Sequence, residues 1–332
     1  MDFDSRLARC QSLVNAALEH CAPPPSDRRG AACSAPNTYS VTSEEGGAST
    51  APTSVAPAPP DRLSLAVKYA LSGGKRLRPY IVFSVAEMLG REPQSFLDAA
   101  CAVEFVHTSS LILDDLPCMD DSRIRRGRPS LHREFDEATA ILAAVSLLSR
   151  GFASLAENAS ALRLSSDVTN RAMTCLAETV GASGMVAGQM AELLASAADL
   201  KTIEVVHDRK TSSLFVASGQ VPAILAGAAE QDIHAIGGYG HHLGLAYQIA
   251  DDISDAPVPG PRGSSACEDS DEPSHGRPER HRGVNVATLL GLDEAARRAH
   301  EHIQAAIAFL EEYGDSACPL RQLAGYVLSR ID

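Results

Sequence analysis

Leu113-Asp114-Asp115-Leu116-Pro117-Cys118-Met119-Asp120-Asp121, answered far downstream by Gln248-Ile249-Ala250-Asp251-Asp252-Ile253-Ser254-Asp255, decides the reading of this chain. Both stretches are carboxylate clusters set in apolar sequence with helical spacing. A carboxylate buried in such surroundings is costly unless a cation neutralises it. Oxygen-only donors ask for a hard cation such as Mg²⁺, and magnesium held by few protein ligands has phosphate oxygens completing its shell. The pair of clusters therefore points to magnesium-dependent diphosphate chemistry.

Composition agrees with a mainly helical protein. Among 332 residues aromatics make up 5% and Trp is absent, while Ala, Leu and Glu are plentiful. The net charge of −13, from 29 basic and 42 acidic residues, argues against nucleic acid as a partner. The eight cysteines form no CxxC pair, so they read as reduced thiols of a cytoplasmic protein. No segment reads as membrane-spanning; the longest uncharged run, 211–229, carries Ser, Thr, Gln and Pro222. Asp2 and Asp4 oppose a secretory signal or an acid-poor transit peptide.

Two low-complexity stretches punctuate the chain. Residues 22–60, rich in Ala, Pro, Ser and Thr, read as a flexible insertion after an N-terminal helix within 1–21. Residues 256–283 read as a flexible loop directly behind the second aspartate cluster, inside a helical domain spanning 61–332. Helical periodicity covers 3–18, 61–71, 78–90, 96–116, 133–157, 164–180, 183–198, 202–228, 233–255 and 293–313. No useful strand pattern appears. The expected fold class is all-α.

On a helix, Glu104, His107, Leu111 and Asp114 or Asp115 share a face. Asp120 returns to that face only if Pro117 ends or bulges the helix. Gln248, Asp251, Asp252 and Asp255 share a face without such help. Gly73-Gly74-Lys75-Arg76-Leu77-Arg78-Pro79 gathers cations and glycine backbone suited to a diphosphate. Arg125-Arg126 follow the first aspartates, and Lys210-Thr211 with His207 form a polar island on an apolar helix. Each feature alone reads as an ordinary exposed turn or a satisfied core group. Together they form a site.

This ensemble resembles the trans-type (head-to-tail) isoprenyl diphosphate synthases, the farnesyl and geranylgeranyl diphosphate synthases. The resemblance runs from about residue 61 to 255 and resumes more weakly from Gly283 to about 313. Gly73 to Pro79 matches the GGKxxRP motif, and Asp114-Asp115 through Asp120 the first aspartate-rich motif in its long form. Arg125-Arg126-Gly127 matches the arginine pair behind it. Gly184 to Gln189 matches the GQ motif, with Glu192 where Asp is commoner, and Lys210-Thr211 the KT motif. Gln248 with Asp251 to Asp255 matches the second aspartate-rich motif.

The resemblance implies a single-domain isoprenoid-synthase helical bundle with a central active-site cavity, working as a homodimer. It implies that Asp114, Asp115, Asp120, Asp251 and Asp255 hold Mg²⁺, three ions in all, against an allylic diphosphate (dimethylallyl, geranyl or farnesyl). Arg125, Lys210, Thr211 and Gln248 steady that group, and Asp114, Asp115, Asp251 and Lys210 carry the catalysis. Isopentenyl diphosphate is held by Lys75, Arg78, His107 and Arg126. Ionisation of the allylic C–O bond is followed by attack of the isopentenyl double bond and loss of a proton. The small Ser109 and Ser110, one turn above Asp114, leave the product tunnel open, so the expected product is C20 over C15.

Three departures stand against the family pattern. After the second aspartate motif only Arg262, Arg277, Arg280 and Arg282 replace an expected lysine. Ala144-Val145 stand where Gly-Asp is usual, a change that concerns packing more than chemistry. The N-terminal insertion is long. The rival readings are a farnesyl diphosphate synthase, a non-catalytic regulatory subunit and a terpene cyclase. Intact aspartates oppose the subunit, and intact GGKRLRP opposes the cyclase.

Overall fold

The computed structural model describes residues 1–20, 62–194, 199–256 and 285–331; the expected insertion at 22–60 and nearly all of the loop at 256–283, with its four arginines, lie outside them. In chain order the helices are α1 Phe3–His20, α2 Arg62–Leu71, α3 Leu77–Met88, α4 Leu97–Asp114, α5 Leu131–Glu134, α6 Glu137–Ala161, α7 Ser166–Val180, α8 Met185–Leu194, α9 Leu200–Val206, α10 Ser213–Leu225, α11 Glu230–Ser254, α12 Val286–Leu290, α13 Leu292–Ala308 and α14 Cys318–Leu328. The all-α expectation holds, with one addition. A two-stranded antiparallel ribbon, β1 Ile124–Arg125 and β2 Arg128–Pro129, carries the arginine pair. Strands of two residues are too short for an alternating pattern to register.

Side-chain chemistry sets the helix starts. Asp136 accepts a hydrogen bond from Thr139 N at 2.7 Å, so α6 starts at Glu137 and not at 133. Asp199 caps α9 through Thr202 N at 2.7 Å, and Asn285 and Thr288 cap α12 reciprocally. The α4 helix is alanine-rich and buried on nearly every face, as befits a helix apolar all round. It packs lengthwise on α6, while α10 packs on α11 and α11 on α13. By length and composition, 93–114 and α6 could each cross a membrane. The sequence reading missed both because it sought uncharged runs; α4 is a central element of the bundle.

Two glycines bring the α10–α11 pair close. A methyl group at Gly244 would lie 2.7 Å from Ser212 Cα, and one at Gly240 would lie 2.7 Å from the Phe215 carbonyl. The α1 helix docks on the body of the bundle: Cys10, Val14 and Leu18 are buried, and the Phe3 ring meets Tyr80 and Tyr326.

The α4 helix ends at Asp114 because Pro117 disfavours helical backbone before it. The chain then tightens, and Asp120 N donates to the Asp114 carbonyl at 2.9 Å. The stretch expected as one helix over 202–228 is three pieces, with a π-turn at His207–Ser212 between α9 and α10. Helix α14 lies beyond the last periodic segment recognised in the sequence.

Gly244→Ala is expected to destabilise the fold by about 1–3 kcal/mol through overpacking. Gly325→Ala, where nothing lies within 4 Å, should be neutral or stabilise by up to about 1 kcal/mol. Thermal denaturation of the two variants checks the contrast.

Candidate active site

A cavity of about 360 Å³ opens between α3, α4, α8, the π-turn, α10 and α11. Along α4 its lining runs from Asp114 past Ser110 and Val106 to Glu104, ten residues on, about 15 Å along the helix. Leu148, Val180, Met185 and Leu214 add apolar wall, and Lys75, Arg78, His107, Lys210, Thr211, Gln248 and Asp251 add polar groups.

Lys210 is the junction of the acidic side. Its ammonium lies 2.7 Å from Glu192 and 3.3 Å from Asp114. The approach of α8 depends on Gly188, where a Cβ would stand 2.4 Å from Lys210 N. Burial pushes the Asp114 carboxyl up to about 6; Lys210 pulls it back, and Asp120 and Glu192 push it further up. Burial opposes the charge on Lys210, but Asp114, Glu192 and Asp120 outweigh it and hold the ammonium above its ordinary range. Three carboxylates around one ammonium leave surplus negative charge.

The basic side is organised differently. Arg78 Nη1 lies 3.2 Å from His107 Nε2, and its guanidinium rests 4.7 Å from the Phe215 ring centre. Enclosure and the arginines at 78, 126, 125 and 76 hold His107 well below the usual histidine range, so the ring is neutral and accepts from Arg78. Arg126 Nη1 donates to the Gly73 carbonyl at 3.2 Å, seating that arginine on the glycine pair.

The structure brings Lys75, Arg78, His107, Ser109, Ser110, Asp114, Arg126, Lys210, Thr211, Gln248 and Asp251 to one cavity. It does not bring Asp115 there. Asp115 is 2% exposed, and its carboxylate receives the Arg125 guanidinium through Nε and Nη2, the latter at 2.6 Å. Asp115, expected to hold metal and share in catalysis, and Arg125, expected to steady the diphosphate, thus form an ion pair beside the cavity. The geometric cause is that Asp115 is the C-cap of α4, turned one step off the Asp114 face. Asp120 stays close to Asp114, while Asp255, the C-cap of α11, lies outside the cavity wall. Asp252, expected on the Asp251 face, points inward and accepts from Val286 N at 3.0 Å, tying α11 to α12.

Sequence reasoning missed three residues. Arg76, in the middle of GGKRLRP, is buried against Glu104 and Asn15, so it serves the fold. Arg330, close to the chain end, pairs with Asp251 at 2.6 Å and covers the Tyr247 ring. Glu192 was noted only as a departure, yet it partners Lys210. Only the i to i+3 spacing of Glu104 and His107 carried a signal for any of these contacts.

Among the described residues no three His, Cys, Asp or Glu side chains converge into a ready cage for a metal. The carboxylates on the acidic side of the cavity, Asp114, Asp251 and the adjoining Asp120, are nonetheless hard oxygen donors, with negative charge in surplus. Such a set fits Mg²⁺ held jointly with a diphosphate, which needs few protein ligands.

A helical bundle with acidic and basic clusters on one apolar-walled cavity defines a prenyl diphosphate synthase type of site. The chain belongs to the polyprenyl synthetase family, whose profile matches residues 60–272. It is 35% identical to geranylgeranyl pyrophosphate synthase 12, chloroplastic, of Arabidopsis thaliana, over 83% of this chain and 76% of that protein. It is 42% identical to the farnesyl diphosphate synthase of Bacillus subtilis, over 59% of this chain and 67% of that one. The crystal structure of an FPP/GFPP synthase from Zymomonas mobilis superposes with a TM-score of 0.75 at 28% identity, covering 98% of both chains.

An aspartate whose ordinary value is 3.8 keeps its proton to about 6 at position 114. Between these values the folded chain binds more protons than the unfolded one, so stability falls as pH rises through that window. Asp114→Asn removes the penalty. In chelator-treated protein it should raise Tm at pH 7.5, with the gain vanishing towards pH 4; differential scanning calorimetry across pH checks this.

Proposed function

We propose that this chain condenses isopentenyl diphosphate with allylic diphosphates in a magnesium-dependent reaction, with geranylgeranyl diphosphate (C20) as the main product. One observation carries the reading: the acid–lysine cluster around Lys210 and the Lys75–Arg78–His107 cluster open onto the same apolar-walled cavity. Two diphosphates can therefore be held with their hydrocarbon parts in contact. A cyclase needs only the first cluster. The relatives named geranylgeranyl and farnesyl synthases support the same reading.

Asp114, Asp120, Asp251 and Asp255 would be the carboxylates that hold Mg²⁺; we propose three ions, delivered with the diphosphate. Bound metal supplies positive charge to the departing diphosphate. Lys210 adds an ammonium to the same oxygens, and Thr211, donating to Gln248 Oε1 at 2.9 Å, holds the amide that completes that side. The allylic C–O bond breaks and leaves a carbocation within apolar walls that exclude water. Lys75, Arg78 and Arg126 hold isopentenyl diphosphate, with neutral His107 fixing the Arg78 guanidinium. The isopentenyl double bond supplies the electrons of the new C–C bond, and the proton released goes to the departed pyrophosphate.

Product length follows from the wall. Ser109 lines the cavity and its hydroxyl donates to the Ala144 carbonyl at 2.9 Å, leaving no bulk in the path towards Val106. Self-association follows from the surface. Ile141, Leu142 and Val145 on α6 and Val186, Met190 and Leu194 on α8 are 44–73% exposed. The α6 face suits a second copy of the chain, whereas Val186 and Met190 also line the cavity. The Ala144-Val145 departure thus divides between core and surface, since Ala144 is buried and Val145 belongs to this face. A cytoplasmic location accords with the free thiols of the described cysteines, Cys10, Cys101, Cys118, Cys175 and Cys318.

Labelled isopentenyl diphosphate with C5, C10 or C15 allylic primers should give a C20 product only when Mg²⁺ is present. A C15 end product overturns the length assignment, and no product from any primer overturns prenyl transfer in favour of a regulatory subunit or a cyclase. Ser109→Phe should shorten the main product; unchanged chromatograms would refute the role of that wall. Leu142→Asp with Val145→Asp should convert a dimer to monomer in light scattering.

A further inference from the structure

The segment carrying Lys75 and Arg78 is held in an unusual backbone shape. Gly73, Gly74 and Arg76 all have positive φ, at 79°, 97° and 58°. Two of them are glycines, for which this is ordinary; Arg76 is not, so contacts must impose its conformation.

Two of the contacts on this segment come from α1. Arg76 is 3% exposed, and its guanidinium meets Glu104 of α4, the Leu71 carbonyl and, through Nε at 2.9 Å, Asn15 Oδ1. Gln11 Nε2 donates to the Lys75 carbonyl at 3.1 Å. Gln11 and Asn15 stand one turn apart on the face of α1 that also buries Val14 and Leu18. They are amides within an otherwise apolar seam, and both point at the loop. Glu104 is also 3.8 Å from Arg126, so the pair that α1 steadies adjoins a further cation of the basic side. The family profile begins at residue 60, leaving α1 outside the matched region.

We propose that α1 is a positioning element for the isopentenyl diphosphate side of the site, with Asn15 and Gln11 as positioning residues. This rests on the assignment of Lys75 and Arg78 to that substrate. Neither amide touches substrate. Asn15 fixes Arg76 in its left-handed conformation, Gln11 fixes the Lys75 carbonyl, and together they set the direction from which the Lys75 and Arg78 side chains enter the cavity.

The test compares Asn15→Leu and Gln11→Leu with Val14→Ala in the full chain. Binding of isopentyl diphosphate, a saturated analogue of isopentenyl diphosphate that lacks the attacking double bond, is measured by calorimetry, alongside KM for both substrates, kcat and Tm. The amide variants should weaken analogue binding and raise the isopentenyl KM, about tenfold for Asn15→Leu, which loses a hydrogen bond to a charged group, and about threefold for Gln11→Leu, which loses one to a neutral carbonyl. Their allylic KM should stay unchanged. Val14→Ala should lower Tm and leave the isopentenyl KM in place. The proposal is overturned if the amide variants lose Tm with no change in isopentenyl KM, or if both KM values move together. An unaltered chain that binds no analogue overturns the substrate assignment itself, and the proposal with it.

Discussion

The ammonium of Lys210, shared between Glu192 and Asp114, is the interaction around which the acidic half of the molecule is arranged. It joins the end of α4, the last turn of α8 and the π-turn, none of which is adjacent in sequence. Each supplies a group that burial alone would make unfavourable. The lysine offsets part of the carboxylate repulsion and leaves the rest, and that remainder makes the site receptive to further cations. Geometry here serves a charge imbalance, and the imbalance serves the chemistry of a departing diphosphate.

The basic half solves the opposite problem with different means. Its cations are kept apart by neutral or anionic spacers: His107 against Arg78, Glu104 between Arg76 and Arg126, Asp115 against Arg125. Only some of the arginines therefore remain directed at the cavity. Arg76 and Arg125 are each held in an ion pair although they sit inside motifs that read as binding sequence. A motif names the residues of a neighbourhood, and their division of labour is settled by side-chain direction.

Much of this was legible in the residues. The two aspartate clusters, GGKRLRP and Lys210-Thr211 led to the cavity because apolar spacing fixes which face of a helix points inward. Pro117 located the end of α4 for the same kind of local reason. What stayed hidden depends on contacts between distant segments: the diversion of Asp115 to Arg125, the inward turn of Asp252, and the arrival of Arg330 beside Asp251. The π-turn was hidden for another reason, since 202–228 has sound helical periodicity on either side and wide turns leave no compositional mark.

That π-turn has a consequence for how such a chain can change over time. A wide turn is one residue more than an α-helix needs in the same length, and here the surplus falls at the residues that carry Lys210 and Thr211. Loss of a single codon between 207 and 212 would let α9 and α10 fuse into one regular helix. The flanking helices would keep their mutual register, because the wide turn absorbs the surplus residue, but the positions inside the turn would be re-spaced around the axis. Lys210 would leave the carboxylates while every substituted position remained chemically intact. In this segment, then, descent tolerates exchange of residues far more readily than any change in their number.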